Sequence, residues 1–258
     1  MKILMAAALS LGLAAAAQAE TLTVGAYPAN PPWEVKQEDG TFVGFEVDLV
    51  NAIAEKLGAD VTFQDLGFQA LFAATASGRI DMAISSITIT DARLENQDFT
   101  QGYYDADLGI GVRKDSGISD VDGLKGETVG VLSSSTGEAW ANENREAMGI
   151  EAIRGYDAYP QLLLDVQNGR VVAAISDVTG LQYAFQQMPD LEVAGRIRSG
   201  DRYGIMLGKN SPWTEKVNGA ISELKEDGTL AAIYEKHLGV APDAGTSTVT
   251  VLELPKAE

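Results

Sequence analysis

Two charged residues, Arg93 and Asp177, stand at positions where each could meet a ligand or serve the fold alone. Arg93 closes the stretch Ser85-Ser86-Ile87-Thr88-Ile89-Thr90-Asp91-Ala92-Arg93, which runs from a strand end through hydroxyls into a first helical turn. A guanidinium there is electrostatically misplaced, because a helix N-terminus favours anions. A ligand carboxylate accepting two parallel bonds would repair this; so would a surface pairing with Asp91 or Glu95. Asp177 follows the apolar run 171–175. That is the carboxyl end of a covered strand, where α/β sheets bind ligands, and an aspartate there is also a common helix N-cap. Residues 130–137 (Gly-Val-Leu-Ser-Ser-Ser-Thr-Gly) repeat the strand–turn–helix layout. They lack the Gly-Lys-Ser/Thr ending of a nucleotide phosphate loop. Free N–H groups at that helix start would still hold an anion such as a carboxylate, and the alternative is a plain turn.

Other chemistries are excluded by what the chain lacks. It has no cysteine and one histidine, His237, in 258 residues. Disulfides, thiolate metal sites, cysteine nucleophiles and His-rich zinc sites are therefore ruled out. Asp120-Val121-Asp122-Gly123 hints at a calcium loop but lacks the remaining ligand spacing, so it reads as a turn. No metal or other cofactor is expected. With 37 acidic against 19 basic residues the formal net charge is −18. Such a surface repels nucleic acid phosphates and anionic lipid heads. Hydrophobic residues at 45% and charged residues at 22% are ordinary for a globular chain.

The elements that must position these residues alternate. Residues 21–24, 61–63 and 80–84 read as strands, and 128–132, 171–175 and 203–207 continue the series. Between them, Val47, Val50, Ala54 and Leu57 fall at helical spacing before Gly58, and Leu162, Leu163 and Val166 do so after Pro160. Further helices are expected over 137–148 and 178–188, and another capped by Ser211-Pro212. Pro28, Pro31 and Pro32 make residues 27–34 a loop, and residues 241–258 read as a loosely held polar tail. The pattern predicts an α/β protein with mainly parallel sheets.

Residues 1–19 read as a secretory signal. Lys2 supplies the positive start, residues 3–17 are almost entirely apolar, and Ala17-Gln18-Ala19 gives a small-x-small cleavage pattern. The apolar run is too short to span a bilayer, and no lipid-acceptor cysteine follows. A free protein in the periplasm of a Gram-negative cell is expected.

Five segments, in order across residues 20–240, together resemble the periplasmic solute-binding proteins for polar amino acids, the capturing component of ABC importers. They are Gly40-Thr-Phe-Val-Gly-Phe-Glu-Val-Asp-Leu, Phe68-Gln-Ala-Leu, the Ser85 to Arg93 stretch, Gly102-Tyr-Tyr, and Asp227-Gly-Thr-Leu with Tyr234. The resemblance implies a two-lobed periplasmic-binding-protein fold of type II with two hinge crossovers. Lobe one would comprise residues 20–107 plus 203–258, and lobe two 108–202. Hinge closure is the recurrent motion of such proteins.

The same resemblance implies roles at the site. Arg93 would clamp an α-carboxylate, with Thr88 beside it and the backbone of Thr136 reaching it from lobe two. Asp177 and the carbonyl of Ser86 would hold the ammonium. Phe68 would form a wall and Leu132 would face the ligand side chain. Tyr27 stands where many members that bind cationic or amide side chains have an aspartate, and Asn30 where they have an aromatic. With that carboxylate gone, a neutral polar or apolar side chain is expected over a cationic one, with Tyr27, Asn30 and Trp33 lining the pocket. Ser134 replaces a usual glycine and Val172 a frequent aspartate. The implied protein is a non-catalytic monomer partnered by an amino acid and an ABC permease. Alternatives on the same fold are a cyclohexadienyl dehydratase-like enzyme and a soluble sensing subunit of a receptor.

Overall fold

The computed structural model describes residues 20–257. The expected secretory signal lies outside the described residues. The described residues build two five-stranded sheets and one small three-stranded sheet. The first large sheet contains β1 (Thr21–Ala26), β5 (Asp60–Asp65), β6 (Met82–Ile84), β7 (Gln97–Phe99) and β13 (Met206–Gly208), in the order β5-β1-β6-β13-β7. The second contains β8 (Tyr104–Arg113), β9 (Thr128–Leu132), β10 (Ala152–Tyr156), β11 (Ala173–Asp177) and β12 (Leu191–Tyr203), in the order β10-β9-β11-β8-β12. The small sheet joins β2 (Ala29–Asn30), β3 (Glu34–Lys36) and β4 (Phe42–Val43).

Helices cover the large sheets. On the first sheet lie α1 (Phe45–Leu57), α2 (Phe68–Ala76) and α7 (Thr214–Glu226), with α8 (Thr229–Leu238) packed on α1 and α7. The short α3 (Asp91–Leu94) precedes β7. On the second sheet lie α4 (Thr136–Met148), α5 (Tyr159–Gln167) and α6 (Val178–Phe185). Val47, Val50 and Ala54 of α1 and Val217, Ala220, Ile221 and Leu224 of α7 are buried against Leu22 and Val24 of β1. This is the i, i+3, i+4 stripe that an amphipathic helix turns to a core. Gly58 ends α1 and Gly149 ends α4, each in the left-handed conformation, which a residue without Cβ adopts at little cost.

The sheets are mixed, not mainly parallel. In the first, β5, β1 and β6 run parallel while β13 opposes β6. In the second, β10, β9 and β11 run parallel while β8 opposes β11. The reversal arises because β8 and β13 enter their sheets directly from the neighbouring sheet, with no crossover helix to restore direction. The chain crosses twice, from β7 to β8 and from β12 to β13. The two crossings are adjacent: Tyr203 pairs with Tyr104, and their rings stack at 5.5 Å. A Cβ at Gly204, beside them, would press on Ile89 at 2.9 Å.

Three local expectations are corrected. Residues 27–34 include β2 and the start of β3, because the prolines occupy positions outside the ladder. Ser211 does not cap α7 by a side-chain bond to the helix; its N-cap is Trp213. The tail after residue 240 is held, not loose. Ser247 and Thr248 are buried, the N–H of Ser247 donates to Asp105 at 2.8 Å, and the Thr248 hydroxyl donates to the carbonyl of Tyr103 at 3.0 Å. The buried Lys225 ammonium donates to Gln101 Oε1 (2.8 Å), the Gly102 carbonyl (2.7 Å) and the Thr250 carbonyl (2.9 Å). Replacing Lys225 with alanine strands three acceptors, so a stability loss of about 3 kcal/mol is expected. Thermal melts check the loss, and limited proteolysis should show the chain cut after residue 240 before the rest.

Candidate functional site

The loops that leave the carboxyl ends of the parallel strands in both sheets face each other across one cleft, the position where α/β sheets bind ligands. The cleft encloses a cavity of about 50 Å³. Nine of the ten residues singled out from the sequence line it: Tyr27, Asn30, Phe68, Ser86, Thr88 and Arg93 from the first-sheet side, and Leu132, Thr136 and Asp177 from the second. Trp33 does not. It is fully buried behind the cleft, edge-on to Phe45, Tyr104 and Tyr203. Its aromatic face is worth more in that cluster than at a polar wall. Its indole N–H reaches Asp177 at 3.4 Å.

Arg93 reaches the cleft from the single turn α3. The hydroxyl of Thr90 caps that turn by accepting from the Arg93 N–H at 3.3 Å. The guanidinium spans the cleft. Nη1 donates to the Thr88 carbonyl at 2.7 Å and Nη2 to the Ser134 carbonyl at 3.0 Å, so it touches both lobes. It also lies over the Phe72 ring at 5.0 Å. Burial lowers its pKa to about 10, which leaves it charged at neutral pH. Neither Asp91 nor Glu95 engages it through these contacts; its terminal nitrogens meet neutral carbonyl acceptors.

Opposite stands the loop that was compared with a phosphate cradle. β9 ends at Leu132 and α4 begins at Thr136. The Ser135 hydroxyl accepts from the Glu138 N–H at 3.1 Å, and the Glu138 carboxylate accepts from the Ser134 N–H at 2.7 Å. This reciprocal capping fixes the turn. Ser134 sits at φ +67°, a left-handed conformation that costs a non-glycine residue roughly 1 kcal/mol. Thr136 and Gly137 line the cavity, and N–H groups of a first helical turn have no intrahelical acceptor.

Asp177 satisfies both of its sequence readings. It caps α6, with Oδ1 accepting from the Thr179 N–H at 3.0 Å and Oδ2 from the Gly180 N–H at 2.7 Å. It also lines the cavity. Burial pushes its pKa up and the two N–H donors pull it back. Ser86 sits at φ +47°. Its N–H is tied to Glu46 at 2.8 Å and its hydroxyl accepts from the Asn30 amide at 3.0 Å. Tyr27 crosses the cleft, its hydroxyl accepting from the Tyr159 N–H at 2.9 Å.

Reading the sequence missed Ser85, Leu108, Ser135, Gly137, Tyr159, Ser176 and Tyr203, all of which line the cavity. Ser85, Ser135 and Gly137 sit inside stretches already singled out, so their neighbours were a usable signal. Tyr159 and Tyr203 carried none, since tertiary packing alone brings them here. The Tyr159 hydroxyl is buried with no hydrogen-bond partner among the described residues.

Beneath the Ser86 loop lie two fully buried carboxyl groups, Glu34 and Glu46. Asn30 donates to Glu34 Oε1 at 3.2 Å. Ser86 N–H and the Tyr103 hydroxyl both donate to Glu46 Oε1. Among the described residues each carboxyl has an Oε2 with no other partner, and a hydrogen bond between the two carboxyls, through one shared proton, satisfies both. Burial, then the charge of Glu46, holds Glu34 well above the usual carboxylate range. A raised carboxyl pKa means the folded state keeps a proton the unfolded chain releases. Stability from this pair is therefore full below the unfolded value of about 4.3 and declines as pH rises above it. Glu34→Gln should raise Tm at pH 8 by about 3 °C, the shift expected for roughly 1 kcal/mol, and leave it nearly unchanged at pH 4. Calorimetric melts at the two pH values check this.

Two mixed sheets, joined by two adjacent crossings and facing each other across a polar cleft, define a two-lobed solute-binding protein. Residues 22–240 match the family model for bacterial extracellular solute-binding proteins, family 3, and the chain belongs to that family. It is 30% identical over 237 residues to an arginine-binding periplasmic protein of Mannheimia haemolytica, covering 90% of this chain and 96% of the relative. It is 33% identical over 223 residues to the L-cystine-binding protein TcyJ of Escherichia coli K12, covering 85% and 83%. Among solved structures, an ancestral arginine-binding protein bound to arginine superposes with a TM-score of 0.80 at 38% identity, covering 85% of this chain and 98% of that one.

Proposed function

We propose that this protein is a non-catalytic periplasmic binding protein that captures an α-amino acid between its lobes and delivers it to an ABC permease. Lobe one comprises residues 20–107 plus 203–258 and lobe two residues 108–202. One observation carries the reading: Arg93 from one sheet and Asp177 from the other line the same cavity. Arg93 takes the α-carboxylate, with Thr88 and the backbone of Thr136; Asp177 and the Ser86 carbonyl take the ammonium. A ligand that satisfies both charges then bridges the lobes and favours closure. The names of the relatives support the amino acid and the periplasm. The dehydratase alternative has less support, since Arg93 is the only cationic side chain in the lining among the described residues and a second carboxylate would lack a partner.

The side chain we assign is uncharged. Among the described residues Asp177 is the only carboxylate lining the cavity, and the ammonium takes it. The Tyr27 hydroxyl is already engaged by Tyr159. Both arginine-binding proteins argue the other way, as do most of the relatives, whose names give arginine, lysine, ornithine or histidine; the cystine-binding one agrees. Calorimetric titration with the twenty L-amino acids and L-cystine tests both levels. An uncharged ligand binding more tightly than arginine and lysine is expected. Tighter arginine would overturn the side-chain assignment, and no heat with any of them would overturn the binding function.

A further inference from the structure

Asp201 is a carboxylate that the ligand roles above leave unused. It lies on β12 where the pairing with β8 slips between Ile197 and Asp201. Residues 198–200 bulge out there, with Gly200 at φ +67°. A bulge re-aims the side chains that follow it, and here it turns Asp201 into the seam between the lobes. Its Oδ2 accepts from the Thr136 hydroxyl of the second lobe at 3.2 Å and from the Thr88 hydroxyl of the first at 3.4 Å. Asp201 is also the acidic group that most favours the charged form of Arg93.

Arg93, Thr88 and Thr136 are the residues assigned above to the ligand's α-carboxylate, Thr136 there through its backbone N–H and here through its hydroxyl. We propose that Asp201 is an affinity-setting residue: an internal anion that competes with the ligand carboxylate for the Thr88 and Thr136 hydroxyls and for the charge of Arg93. The inference rests on the proposed function's reading of this end of the cleft. Asp201 is half-buried, so solvent screens its repulsion of a second anion poorly. The clamp therefore holds its ligand less tightly than Arg93 and the hydroxyls alone would. That suits a protein that must also release its cargo, and it disfavours a ligand with a second carboxylate near this end.

Asp201→Asn keeps the shape and an acceptor for the hydroxyls and removes the charge. Wild type and variant are titrated with the twenty L-amino acids and L-cystine, and with the α-amide of each compound that binds. For the free amino acids the variant should bind about tenfold more tightly. For the α-amides, which carry no carboxylate to repel, the change should stay below twofold. Unchanged or weaker binding of the free amino acids would overturn the proposal and make Asp201 a positioning residue for the two hydroxyls. An equal gain for acids and amides would overturn it too. If the asparagine variant does not fold, Asp201→Ser is read by the same outcomes. Wild-type binding without tightening in the variant removes this inference alone; no binding by either protein removes the proposed function with it.

Discussion

Arg93→Ala should abolish amino acid binding while the chain stays folded. Among the described residues the guanidinium is the only cationic group lining the cleft, and each hydrogen bond between a charged donor and a carboxylate contributes roughly 1.5–3 kcal/mol. Losing two such bonds weakens binding by at least about 100-fold. The fold has less at stake. Arg93 belongs to one helical turn whose cap is made by Thr90 with the backbone N–H of residue 93, and alanine keeps that N–H. The lost contacts are those to the Thr88 and Ser134 carbonyls and the Phe72 ring. Melting within about 5 °C of wild type, with no detectable titration heat, is the expected pair of results. Retained affinity would remove the carboxylate clamp.

Asp177→Asn should separate the two jobs of that residue. Asparagine is as good an N-cap as aspartate: its one carbonyl oxygen keeps one of the bonds from Thr179 and Gly180, its amide nitrogen cannot accept the other, and the variant should melt within about 4 °C of wild type. The amide cannot pair with an ammonium as an ion. A loss of about 100-fold in affinity is expected, from roughly 2–3 kcal/mol of charge-assisted bonding. Calorimetry on the variant decides the point. Unchanged affinity would leave Asp177 as a helix cap and nothing more.

What the sequence disclosed depends on whether the cause is local. The runs that became β9 and β11, and the helix stops at Gly58 and Gly149, are set by residues within a few positions of one another. So are the two strand–turn–helix loops that carry Arg93 and Thr136. β12 is different. Its thirteen residues mix charges and glycines along a sheet edge, and two slips in register break the alternation. Its period was therefore hidden, and Asp201 with it. The reversed direction of β8 and β13 follows from the double crossing, which no local pattern encodes. Lys225 reads as a solvent-facing residue of α7, yet it is buried by the tail that it anchors. Trp33 was expected at the cavity as part of the first loop, beside Tyr27; three other rings claim it instead.

The central claim is that opposite charges from the two lobes hold the two ends of one amino acid. A crystal structure of the protein grown with its tightest-binding amino acid measures this directly. The account predicts the α-carboxylate within hydrogen-bond distance of the Arg93 guanidinium and the ammonium within the same reach of Asp177. An amino acid seated with neither end on these residues would contradict it.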